Sequence, residues 1–148
     1  MPEQGVDFTI EKPGEGVLLL VEAKNLPSRS PEWATRYLHN LYEHLRIPPS
    51  DYFLLVFRDS MYLWQHPSAA SAPPSFHGDT AKALRPYLSR ISYPIEKLSI
   101  SSFELLIQSW LGELVAGVLP ESADTAWLQD SGLLDSVRGA VLRVNLAA

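Results

Sequence analysis

The chain has 148 residues, 46% of them hydrophobic and 20% charged, which is enough apolar material to bury a core and excludes a disordered chain. Lys and Arg total 12 against 17 Asp and Glu, a formal charge of -5, which argues against broad electrostatic coating of nucleic acid but leaves room for a local basic groove. Cysteine is absent, so disulfide frameworks, thiolate zinc sites and cysteine nucleophiles are excluded, and any zinc would rely on the four His and on carboxylates.

The first residues, MPEQGVDFTIEK, lack a basic segment followed by an apolar stretch, so no export signal is expected. Residues 7 to 24 read as a β-hairpin. Asp7 to Ile10 alternates, Glu11-Lys12-Pro13-Gly14-Glu15-Gly16 is rich in turn formers, and Val17 to Val21 is a solid apolar run. Such a run marks a strand covered on both faces, hence an interior one. It ends abruptly in Glu22-Ala23-Lys24.

After a loop, Ser30 is the expected N-cap of a helix with Pro31 at its first position and Glu32 favourable to the dipole. Ala34, Leu38, Leu41 and Leu45 recur at helical spacing, and Ile47-Pro48-Pro49 ends the element. Tyr37 and Tyr42 straddle the stripe, where one ring has the exposure to stack a base. Tyr52 to Phe57 and Met61 to Gln65 read as a strand pair around a tight Arg58-Asp59-Ser60 turn. His66 to Gly78 is small and proline-rich, the composition of a mobile surface loop.

Asp79 to Ile91 is helical in pattern with Pro86 as an expected break. Ser101 and Glu104 have the spacing of a capping box. Phe103, Leu106, Ile107, Trp110, Leu111, Leu114 and Val118 then trace a strongly apolar helical face. Its polar residues Glu104, Gln108 and Glu113 argue against a membrane span, and a cytoplasmic protein is expected. A last helix is expected over about 124 to 137. With neither a repeat nor a linker, residues 1–148 read as a single domain. No glycine-rich phosphate loop, nucleophile elbow or dinucleotide pattern occurs.

The chemistry is expected at the open end of the hairpin. If its centre falls between Gly14 and Glu15, facing residues have numbers that sum to 29, and Asp7 lies opposite Glu22 on the same face. Lys24, two residues on, points to that face as well. Two carboxylates plus the Ala23 carbonyl suit a hard divalent ion such as Mg²⁺ or Mn²⁺, and a lysine beside them can orient a water or stabilise a phosphate. Arg29 and Arg36, just downstream, are candidate phosphate contacts. The bland alternative for the same residues is a solvated Asp7–Lys24 pair worth about 0–1 kcal/mol.

Asp7, then Glu22-Ala23-Lys24 closing an apolar strand, then the helix from Trp33 and the hairpin to Gln65, resemble the PD-(D/E)XK nuclease superfamily. The remainder, including Phe103 to Val118, is similar to uncharacterised cyanobacterial members. The resemblance implies a restriction-endonuclease-like α/β fold, a mixed β-sheet flanked by α-helices. It also implies metal ligation by Asp7, Glu22 and the Ala23 carbonyl, Lys24 as the catalytic lysine, and hydrolysis of DNA phosphodiester bonds. Val6 stands where the family signature has proline, and six preceding residues leave no room for the family's usual N-terminal helix. A second expectation, from a different class, is a catalytically silent relative. It would form a homo-oligomer or engage a protein partner through the apolar Phe103–Val118 face.

Overall fold

The computed structural model describes residues 6–27, 29–44, 47–68 and 72–145. Turn chemistry fixes the first pair of strands. β1 (Phe8–Lys12) and β2 (Gly16–Ala23) pair antiparallel around Pro13-Gly14-Glu15, where Gly14 and Gly16 adopt φ of 82° and 81°, a region glycine enters without a Cβ penalty. Phe8 faces Val21, Thr9 faces Leu20 and Ile10 faces Leu19, the expected register. A β-bulge then shifts the pairing to Glu11 opposite Val17. Leu18 is the extra residue, and it joins Leu19 in the same core layer.

Strand β2 runs parallel to β3 (Tyr52–Val56), and α1 (Pro31–His44) is the crossover that a parallel pair requires. The helix begins as its sequence predicts, with Ser30 Oγ accepting from the Trp33 amide at 3.1 Å. Ala34, Leu38 and Leu41 are buried against Leu20, Phe53 and Leu55, whereas Leu45 lies outside the described residues. β3 returns through Arg58-Asp59 into β4 (Ser60–Gln65), antiparallel.

Beyond β4 the structure departs from the sequence reading. Phe76–Asp79, which takes in the end of the expected loop and the first residue of the expected helix, forms β5, paired antiparallel with β4, and residues 69–71 lie outside the described residues. Gly78 is what brings this strand close to the rest. A Cβ there would sit 2.4 Å from the Trp127 ring, so only glycine admits that indole. The expected helix over 79–91 is split into α2 (Thr80–Ala83) and α3 (Arg85–Ile91), with Pro86 opening the second piece.

The long helix α4 spans Ile100–Ala116, and its N-cap is Ser99, whose Oγ accepts from the Ser102 amide at 3.1 Å. The Ser101–Glu104 box is therefore not the cap, because buried Leu98 fixes the chain's entry two residues earlier. Phe103, Ile107, Trp110, Leu111 and Leu114 are buried against the sheet. The face expected to receive a partner is thus largely consumed by the chain's own core. Val118 lies beyond the Gly117 cap and is 60% exposed. The predicted last helix is broken by Gly132 into α5 (Ala126–Asp130) and α6 (Leu133–Val137). It is followed by an unforeseen strand, β6 (Val141–Val144), antiparallel to β1.

The strand order is β5-β4-β3-β2-β1-β6. The result is a mixed six-stranded sheet with α1 on one face and the later helices on the other, an α/β architecture with β2 in the interior. Among the described residues, no helix is long and apolar enough to cross a membrane.

Candidate functional site

Side-chain alternation decides which residues of the hairpin meet. Phe8, Ile10, Val21 and Ala23 point into the layer under α4, so their neighbours Asp7, Glu22 and Lys24 project toward α1. The expected register holds from Ile10–Leu19 to Phe8–Val21 and then slips by one, because the Asp7 amide donates to the Val21 carbonyl at 2.9 Å and Asp7 is not paired across the ladder with Glu22. Asp7 Oδ2 in turn accepts from the Ala23 amide at 2.7 Å, so its carboxylate takes the ladder position where β1 ends. On the outer side of β1, Asn145 donates its amide to the Asp7 carbonyl at 2.8 Å.

Glu22 is 6% exposed, the only buried charged side chain among the described residues. Tyr37 Oη donates to Glu22 Oε2 at 2.7 Å, and Lys24 Nζ stands 3.7 Å from the same oxygen and 4.5 Å from the centre of the Tyr37 ring. Burial foremost, then the charge of Asp7, pushes the Glu22 carboxyl up to about 8, and Asp7 is also within its hydrogen-bonding reach. Tyr37 and Lys24 oppose that shift without cancelling it. Burial beside a second acid therefore favours the protonated form of Glu22. The Tyr37 hydroxyl is held far above its usual range, first by burial and then by Glu22, so it acts only as a donor to the carboxylate. Rings of Trp33 and Tyr37 stack at 5.3 Å and 6° along α1 and wall the cluster on that side.

The structure thus brings Asp7, Glu22, Ala23 and Lys24 together. Arg29 and Arg36 are elsewhere. The Arg29 guanidinium lies 5.9 Å from the Trp33 ring, one aromatic step removed from the carboxylates. Arg36 is exposed, and its side chain makes no hydrogen bond or ion pair among the described residues. It precedes Tyr37 by one residue, which turns it about 100° around the helix from the cluster.

Two participants escape the sequence reading. Tyr37 supplies the hydroxyl that Glu22 needs, and the available signal was connection length. A helix starting at Pro31, so soon after Lys24, must lay its first turns over the end of β2. Glu104 is the other. Partial burial, then the charge of Asp7, pushes its carboxyl up from its place on α4. Among the described residues, no group of three His, Asp or Glu side chains is arranged to hold a metal by itself. A cation here would rest on two carboxylates, a backbone carbonyl and water. In comparisons with known proteins the chain matches no family model, no curated protein and no solved structure.

Proposed function

We propose that this chain is a metal-dependent phosphodiesterase of the restriction-endonuclease-like class, acting on DNA. The observation that carries this reading is the convergence of Asp7, Glu22 and Lys24 on one face at the end of β2. A carboxyl buried beside a second acid calls for positive charge, which Lys24 at 3.7 Å supplies only in part, since burial still pushes the Glu22 carboxyl up. The donor set suits a hard divalent ion, with Asp7, Glu22 and the Ala23 carbonyl as protein ligands and Mg²⁺ or Mn²⁺ as the candidates. When bound, such an ion makes a water acidic enough to attack a phosphorus centre.

The protein's own contributions follow from its contacts. The Ala23 amide holds Asp7 in one rotamer, and Tyr37 does the same for Glu22. Lys24 is half-buried over the Tyr37 ring and beside Glu22, and in this reading it orients the nucleophile and stabilises charge on a phosphate oxygen. The test is calorimetric titration with Mg²⁺ and Mn²⁺ alongside nicking of supercoiled plasmid, on the wild type and Glu22→Gln. Binding and cleavage that both vanish in the variant support the reading. A wild type that neither binds metal nor cleaves would overturn it.

A catalytically silent binding module is the second reading. It is favoured by the net charge of -5 and by Arg36 turning away from the cluster. Metal binding without cleavage of any nucleic acid would select it.

A further inference from the structure

A groove of about 670 Å³ opens between the start of α1 and the edge strand β5, lined by Arg29, Pro31, Tyr62, Pro74, Phe76 and His77. It exists because α1 covers the middle of the sheet and leaves the β4–β5 margin uncovered on the same face. Its floor is aromatic. Tyr62 and His77 face each other across the strands and stack at 5.2 Å and 26°. Tyr62 is buried, and His77, beside it on the edge strand, is exposed.

The walls are fastened. Tyr62 Oη donates to the Arg29 carbonyl at 2.7 Å, and Trp64 Nε1 donates to the Ala72 carbonyl at 2.9 Å. The Ser75 amide donates to the Leu63 carbonyl at 2.8 Å, so the Pro73–Pro74 wall is pinned at both ends. A continuous chain of ring contacts joins this groove to the carboxylates. His77 stacks on Tyr62, Tyr62 meets Phe57 edge-on at 6.1 Å, Phe57 meets Trp33 at 5.9 Å, and Trp33 stacks on Tyr37. Arg29 lies over the Trp33 ring on the way.

We propose that this groove binds an unpaired nucleotide of the nucleic-acid strand, its base stacked on His77 and its phosphate met by Arg29. A base inside a duplex offers no free face to such a platform, whereas a single strand does. A planar ring backed on one face by a second ring, a cation at its margin and fixed walls are what base stacking with phosphate contact requires. The assignment rests on the phosphodiesterase reading for the kind of polymer. It adds to that reading a preference for substrates with a single-stranded segment beside the cleaved bond.

The test is fluorescence anisotropy in EDTA, which measures binding without cleavage. The probes are labelled oligothymidylate of about 12 nucleotides, within the span of known single-strand sites, and a duplex of equal length. The single strand is expected to bind at least fivefold more tightly than the duplex. Loss of one stacked base makes His77→Ala at least about fivefold weaker, and the aromatic His77→Phe restores binding. Arg29→Ala should reduce the slope of log affinity against log salt by about 0.7, the value for one phosphate on a single strand. Equal affinity for both probes, no affinity for either, or a His77→Ala variant that binds like the wild type would overturn the assignment. Single-strand binding that depends on His77 in a protein without metal-dependent cleavage would keep the groove and refute the nuclease. Cleavage with a silent His77→Ala would do the reverse.

Discussion

Replacing Glu22 with glutamine separates the burden of burying an acid from its use as a ligand. The amide keeps the volume, can accept from Tyr37 and can donate toward Asp7. In the native state the Glu22 carboxyl titrates near 8, against 4.5 for an unperturbed group. Between those values the folded protein holds one more proton than the unfolded chain. The burial is thus tolerated below about pH 4.5, and stability falls as pH rises through the native value, then levels off. At 1.36 kcal/mol per unit, the wild type gives up about 3–5 kcal/mol over that window, and Glu22→Gln does not. In EDTA the variant should therefore be close to the wild type at about pH 4.5 and more stable by roughly 10 °C in Tm at about pH 8.5. Urea denaturation followed by tryptophan fluorescence, repeated across pH, measures the gap directly. Adding Mg²⁺ should reverse the order at high pH, because the ion binds the folded wild type and not the variant. A gap that stays constant with pH would refute the reasoning, since it would mean that Glu22 is ionised and satisfied without metal.

Tyr37→Phe removes the donor that favours the charged form of Glu22, so it should raise the glutamate's apparent pKa further and cost about 1–3 kcal/mol, visible in the same pH series. Ser99→Ala should destabilise by about 1 kcal/mol through loss of the α4 cap, while Ser101→Ala leaves the urea midpoint within about 0.5 kcal/mol of wild type. Gly78→Ala forces a methyl into the Trp127 ring, and chemical denaturation should show a loss of about 1–3 kcal/mol. A normal midpoint for Gly78→Ala would show that Trp127 is free to move aside.

What was legible in the sequence was what short-range physics fixes. The turn formers Pro13 to Gly16 set the hairpin, and the pairing of Phe8 with Val21 then carries Asp7 to Glu22. Ser30 and Pro31 mark the start of α1 because capping is local. What failed depended on distant partners. Phe76–Asp79 has the composition of a loop, yet β4 offers it an unpaired edge and Trp127 needs the bare backbone of Gly78. Ser101 lost the cap to Ser99 because Leu98 is anchored in the core. Val141–Val144 is apolar at three of four positions but short and mostly exposed, its pairing with β1 coming from backbone hydrogen bonds and from Asn145 reaching Thr9 Oγ1 at 2.8 Å. Tyr37 illustrates the same limit for the site. Its role exists only once a crossover helix is laid across β2.

The bulge at Leu18 divides the hairpin into two pieces with separate bookkeeping of inside and outside. Toward the turn, alternation restarts from Val17. Toward the carboxylates, it is set by the pairs Phe8–Val21 to Ile10–Leu19 and by β3 alongside. A residue gained or lost at Pro13–Glu15 would be absorbed before it reached Asp7. Neither Gly14 nor Gly16 would bring a side chain within 4 Å of anything. The tip is accordingly a place to splice in a peptide tag or a fluorescent reporter while leaving the other end of the same hairpin in working order.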